Sequence, residues 1–292
     1  LDTVPVIEGS RFPPLEMTLA KDSVHGGRVY GRGCCDIKGA AACLLEIAGG
    51  TDKPMAMLFT TDEEGASGCC VAEFVQTSQC KTFKQVVVAE PTDCLAVLSH
   101  RGYLSVTGEF SGESGHSSEP RALQDNALHK LSAWVTAAAG QAASLENEGR
   151  RPCFNVGEVH GGIKSNIIAD RANLHWSARL SPGDSNEEFL ELMSDLDDTD
   201  SASWHVPFSG PPLPTGGMGI TEAEAFVKKY GIEAGPAVDF WTEASLFAQA
   251  GIPAIVLGPG NIAQAHVLNE WVSQEQLQRA LEIYTKLVNE HA

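Results

Sequence analysis

The sequence has no apolar run approaching the roughly 20 residues needed to cross a bilayer, and no leader-like segment is visible in it, although an upstream segment could carry one. It is also short of basic residues: 20 Lys and Arg stand against 38 Asp and Glu, giving a formal net charge of −18. Such a field disfavours nucleic acid and anionic membrane surfaces, and suits small or cationic ligands. The eight cysteines form no C-x-x-C; two adjacent pairs and clustering towards the first third match neither a disulfide framework nor a Cys-type zinc site. They read as reduced, mostly buried thiols, and so predict a cytoplasmic protein. The sequence lacks a Walker motif and a G-x-S-x-G elbow, which leaves phosphoryl transfer and serine hydrolysis without support. There is no internal repeat and no low-complexity segment.

What is present is globular: 292 residues, 43% hydrophobic and 20% charged, enough for two domains of ordinary size. Three short apolar runs each end in polar chemistry: PMAMLFTTDEEG (54–65), KQVVVAEPTD (84–93) and IPAIVLGPGN (252–261). Runs of this kind predict strands buried on both faces of an α/β sheet. Helical patterns lie between them, KGAAACLLEIAGG after Asp36, ended by Gly49-Gly50, and GCCVAEFVQTS after Glu64. In open α/β sheets ligands bind beyond the carboxyl ends of strands. Asp62, Glu63, Glu64, Glu90 and the Gly258–Gly260 loop fall at such ends, so the acids are expected to converge.

The middle of the chain has another pattern. RGYLSVTGEFSG (101–112) alternates as a half-exposed strand; a helix over about 125–143, strands CFNVGEVHGG and RANLHWSARL, a helix from Ser185 and a strand SASWHVPF follow. This β-α-β-β-α-β order is ferredoxin-like. SGPPLPTGG (209–217) reads as the linker back, and EAEAFVKKYG resumes helix. The organisation expected is a split catalytic domain, 1–99 and 212–292, with a smaller domain, 100–211, inserted between its halves.

Taken singly, the Glu63-Glu64 pair, Asp36 and Glu90 are ordinary solvated acids. In combination they weigh differently. Asp36 sits in YGRGCCDIKGAAA, where glycines permit a tight turn before a helix, Glu90 follows one buried run, and His266 in IAQAH follows another. Carboxylates with an imidazole at one sheet edge form the donor set of a zinc-type hydrolytic site. Adjacent acids in a dry place repel unless a cation compensates them. Neighbouring residues of an extended segment point in opposite directions, so Glu63 and Glu64 divide naturally into a proton acceptor and a metal ligand.

The set of motifs LDTVP, GRGCCDIKG, TTDEEG, VAEPT, HRGYLSV, SGHSSEP and WTEASLF…VLGPGNIAQAH, in this order from Leu1 to about Gln278, resembles the acetylornithine deacetylase/succinyl-diaminopimelate desuccinylase family of dinuclear metallo-amidohydrolases. It is most similar to the family's acetylornithine and acetylcitrulline deacetylases. The resemblance implies a mixed-sheet α/β catalytic domain of the zinc-peptidase (phosphorylase/hydrolase-like) type, with the ferredoxin-like α+β insertion serving as lid and dimerisation domain. It implies two zinc ions, or cobalt, bridged by Asp36, with Glu64, Glu90 and His266 as terminal ligands. Glu63 becomes the general base, and Asp2 orients a metal-binding histidine expected immediately before Leu1, as in HLDTVP. A chain that truly began at Leu1 would leave one metal short of a ligand, so the numbering is expected to start inside a longer protein.

The same resemblance makes His116 the lid histidine that reaches the partner subunit's site and steadies the oxyanion. Asn166 in KSNIIAD and Arg179 in SARLSP match positions that hold the substrate carboxylate and oxyanion; Arg suits bidentate carboxylate capture. Against these stand an ordinary surface histidine, a turn Asn and a rim Arg. Glu243 and Gly260 are expected to shape the substrate pocket, and His25, His100, His129, His160, His175, His205 and His291 to be structural or surface residues. The predicted activity is hydrolysis of the N-acetyl amide of N-acetyl-L-ornithine or N-acetyl-L-citrulline in arginine biosynthesis, by a homodimer joined through the inserted domain. Succinyl-diaminopimelate or dipeptide and other acyl-amino-acid substrates, or a non-catalytic binding homologue, are the alternatives. GPGNIA also fits the G-x-G-x-x-A dinucleotide fingerprint, but no following strand and no acid about 20 residues on accompany it.

Overall fold

The computed structural model describes residues 2–22, 26–61, 63–64, 70–214 and 220–291. Leu1, His25, Asp62, Gly65, Cys69 and the Thr215–Gly217 end of the expected linker lie outside the described residues. The chain divides into two compact units, Leu1–Ser99 with Gly216–Ala237 and Thr242–Ala292, and His100–Thr215 with Val238–Trp241. The stretch 238–241 falls with the second unit rather than with the chain around it. Two hydrogen bonds explain this: Arg101 N–H donates to the Val238 carbonyl at 3.3 Å, and the Trp241 side chain donates from Nε1–H to the Pro211 carbonyl at 3.1 Å.

The first unit opens with an antiparallel hairpin, β1 (Thr18–Asp22) and β2 (Gly26–Tyr30). A short turn, Cys34–Lys38, leads into helix α1 (Gly39–Gly50), which buries Ala40, Cys43 and Ile47 along one face at helical spacing. Helix α2 (Cys70–Phe74) and strand β3 (Val86–Val88) follow.

The run at 54–61 is not a strand. Leu58 is 47% and Phe59 41% exposed, and no strand among the described residues pairs with this run. Apolar composition marks a wish for burial, whereas a strand also needs a neighbour to take its backbone N–H and C=O groups; β3 has such a neighbour and 54–61 does not.

The second unit carries β4 (Tyr103–Ser111), α3 (Ala127–Asn147), β5 (Asn155–Gly161), β6 (Arg171–Ala178), α4 (Asn186–Ser194) and β7 (Ala202–Gly210). Its antiparallel sheet has the order β5-β6-β4-β7. Alternation fixes which face is inward: Ala172, Leu174, Trp176 and Ala178 of β6 are buried, as are Leu104, Val106 and Phe110 of β4. Trp134 of α3 and Phe189 and Met193 of α4 close over them, and Trp134 Nε1–H donates to the Met193 carbonyl at 2.8 Å. Both helices begin on side-chain caps, Asn126 accepting from Leu128 N–H and Ser185 from Glu188 N–H.

The chain completes the first unit with α5 (Ile220–Lys229), α6 (Ala244–Gln249), β8 (Ala254–Val256), β9 (Trp271–Ser273) and α7 (Gln274–His291). Strand β9 pairs antiparallel with β2, and β8 pairs parallel with β3. The apolar faces of α1, α5 and α7 meet around Ile255 and Leu257, and the Tyr284 hydroxyl donates to the Leu257 carbonyl at 2.6 Å. The carboxyl ends of β3 and β8 therefore lie side by side, and the segments beyond them carry Glu90 and the Gly258–Gly260 loop.

Candidate metal centre

Asp36 stands on the Cys34–Lys38 turn, which Gly33 enters at φ +81°, a conformation that glycine adopts without a Cβ clash. Glu64 follows the 54–61 run, and its backbone N–H donates to Asp2 Oδ2 at 2.9 Å. His266 lies beyond β8 at φ +58°. These three meet: His266 Nε2 is 2.9 Å from Glu64 Oε1 and 3.1 Å from Asp36 Oδ2, and one donor atom from each lies within 4.8 Å of the other two.

The charges around this group are mostly of one sign. Burial, followed by the neighbouring Glu64 charge, raises Asp36 to about 6, with His266 opposing the rise. Burial and the charges of Glu64, Asp36, Glu243 and Asp2 push Glu63 up to about 8, although its side chain reaches solvent. Glu90 is held well above the usual carboxylate range by burial and then by Asp36, Glu63, Glu243 and Glu64. Glu243, at the start of α6, belongs to the same field. Several carboxylates facing one imidazole in a partly dry place are poorly compensated by protein alone. Two carboxylate oxygens and an imidazole nitrogen converging on one point suit a divalent cation, so the residues fit a metal.

The loop beyond β8 is held from beneath. Gly260, at φ +87°, donates its N–H to Gln276 Oε1, and Gln276 Nε2–H donates to Asp93 Oδ1 at 2.8 Å. Asp93 also accepts from the Asn261 amide. At Gly258 a Cβ would stand 2.6 Å from the Glu90 carbonyl and 2.7 Å from that of Ala89, so only glycine lets this loop pass the Glu90 backbone.

His116, Asn166 and Arg179 belong to the second unit. His116 Nδ1 lies 2.8 Å from Ser118 Oγ, and the His116 main-chain N–H donates to Glu119 Oε1 at 2.7 Å. The Ser117 N–H donates to the Asn166 carbonyl at 3.1 Å, which brings the exposed Asn166 beside the His116 segment. Arg179 stacks its guanidinium 3.8 Å from the centre of the Tyr103 ring.

Two residues beside the metal group escaped the sequence pattern, Arg32 and Glu270. Glu270 accepts from the N–H groups of the Asp36 turn. The one signal was an acid shortly after His266, a position that reads equally well as surface.

Comparison with known proteins gives the family. The profile described as Peptidase family M20/M25/M40 matches residues 1–290. An N-acetyl-L-citrulline deacetylase of Xanthomonas campestris is 39% identical, over 99% of this chain and 80% of the relative. An acetylornithine deacetylase of Yersinia pestis is 30% identical, over 99% of this chain and 76% of the relative. Among solved structures, an M20 family metallo-carboxypeptidase from Sulfolobus solfataricus matches with a TM-score of 0.71 at 17% identity, covering 98% of this chain and 82% of that one. An aminopeptidase from Bacillus cereus matches with a TM-score of 0.66 at 16% identity, covering 94% and 76%. At these identities the two structures show a shared fold.

Proposed function

The chain belongs to peptidase family M20/M25/M40 and is a metal-dependent amidohydrolase, and from that premise we propose that it hydrolyses the N-acetyl amide of N-acetyl-L-citrulline, releasing acetate and the free α-amine. The observation that carries the reading is the convergence of Asp36, Glu64 and His266 on one point. The 39% identity to an acetylcitrulline deacetylase, against 30% to an acetylornithine deacetylase, supports the citrulline substrate.

Asp36, Glu64 and His266, with Glu90, would hold zinc or cobalt, two ions if Asp36 bridges them. When bound, the cation supplies Lewis acidity, polarising the scissile carbonyl and easing proton loss from the attacking water. Glu63 takes that proton and returns it to the leaving amine. Its raised proton affinity suits this, because a base that must also act as an acid works best near the operating pH. Asp2 steadies the Glu64 segment through its backbone N–H.

In this reading the second unit is the lid and dimerisation domain. His116 donates to the oxyanion in the partner's site, Asn166 and Arg179 hold the substrate carboxylate, and Glu243 and Gly260 shape the pocket wall. Acetate release from N-acetyl-L-citrulline and N-acetyl-L-ornithine, alongside deacylation of N-succinyl-diaminopimelate and a dipeptide, with zinc or cobalt supplied, tests the assignment. The highest kcat/KM is expected for acetylcitrulline. A preference for the dipeptide would move the reading to peptide hydrolysis on the same metal group.

A further inference from the structure

Asp36 and His266 come from distant parts of the chain, and a buried ion pair ties their two backbones together. Glu270, shortly after His266, is 4% exposed, and Arg32, shortly before Asp36, is 7% exposed. Glu270 Oε2 accepts from Arg32 Nη1–H at 2.8 Å and from Gly33 N–H at 2.9 Å. Its Oε1 accepts from Cys35 N–H at 2.9 Å and from Asp36 N–H at 3.1 Å. Arg32 works in the opposite direction, donating from Nη2 to the Val267 carbonyl at 3.3 Å. A carboxylate from the His266 side thus grips the Asp36 turn by three main-chain N–H groups. A guanidinium from the Asp36 side grips the residue next to His266.

Desolvating two charges consumes much of what their attraction returns, so a buried ion pair is weak grounds for a purely stabilising role. What this pair fixes is position. The turn it holds is entered by Gly33 at φ +81°, and the loop it holds contains His266 at φ +58°, a region that residues with a Cβ seldom occupy unless their surroundings impose it. The geometry points to Glu270 and Arg32 as positioning residues that set metal affinity, by holding the Asp36 carboxylate and the His266 imidazole within reach of one cation. This rests on Asp36 and His266 being metal ligands. Both positioning residues act through main-chain groups, as supporting partners of ligands do in metal sites generally.

Zinc and cobalt titrations of the chelator-stripped full chain test the inference, read by calorimetry and by the visible absorption of bound Co²⁺. Glu270→Gln keeps the side-chain shape but replaces one acceptor oxygen with an amide NH₂ that faces N–H donors. It is expected to weaken metal binding by about 10–100-fold, to alter the Co²⁺ bands at saturation, and to shrink the rise in Tm that metal produces. Glu270→Asp should restore part of the affinity. Arg32→Lys keeps the charge but cannot serve both Glu270 and Val267, and should cost about tenfold; if Glu270→Gln does not fold, this variant decides the matter. Folded variants with wild-type affinity and an unchanged Co²⁺ spectrum would overturn the inference, even with a Tm lowered equally in stripped and loaded protein. Asp36→Asn separates the two levels: wild-type binding in that variant would overturn the metal reading itself, and the clamp with it.

Discussion

Burial, and after it repulsion between neighbouring carboxylates, governs the single residues of the metal group. Asp36 at about 6 and Glu63 at about 8 lie above the ordinary carboxylate range near 4. Both are raised on folding, so the stripped folded protein holds more protons than the unfolded chain. Its stability is therefore expected to fall as pH rises from about 4 through about 8, while metal affinity climbs over the same window because the cation must displace those protons. Thermal melts with and without zinc at stepped pH check this: the gap in Tm should widen from pH 5 to pH 8, and a constant gap would mean the acids are compensated without metal. Glu63→Ala should lower turnover by about 10²–10⁴-fold with bound metal unchanged on elemental analysis. Loss of metal instead would show that base and ligand are interchanged between Glu63 and Glu64. That Asp36 and Glu64 gather with His266 was legible in the sequence, because the two acids follow a glycine turn and an apolar run. Glu270 was not, since a buried anion and a surface one are the same letter until the three N–H groups that embrace it are known.

At the scale of elements, the pair β3 and β8 sets the site. Gly258 passes so close to the Ala89 and Glu90 carbonyls that a methyl group has no room. Gly258→Ala should push the two strand ends apart, costing about 1–3 kcal/mol of stability, with a weaker metal site as Glu90 moves. A denaturant melt together with a zinc titration reads both, and an unperturbed pair of values would mean that the loop yields freely. The β-α-β-β-α-β order of the second unit could be read ahead because its strands alternate and its helices open on Asn126 and Ser185. The 54–61 run could not, because hydropathy is a property of one segment and a ladder is a property of two. Strand β9 and helix α7 carried no glycine or proline punctuation strong enough to announce them.

At the scale of the whole molecule, the acidic surplus and the absence of basic runs agree with a protein that handles a small acyl amino acid, and family membership gives that charge a chemistry. Among the described residues no helix is long and apolar enough to cross a membrane. Motif order carried the family assignment, because each motif alone is common and only their succession along 290 residues is specific. Metal-dependent amide hydrolysis is tested most directly by acetate release from N-acetyl-L-citrulline by chelator-stripped protein as zinc or cobalt is returned, with bound metal determined in the same samples. No release is expected from stripped protein, with recovery in step with bound metal, and no recovery in His266→Ala at metal concentrations that restore the wild type. Undiminished acetate release from protein shown to hold no metal would contradict it.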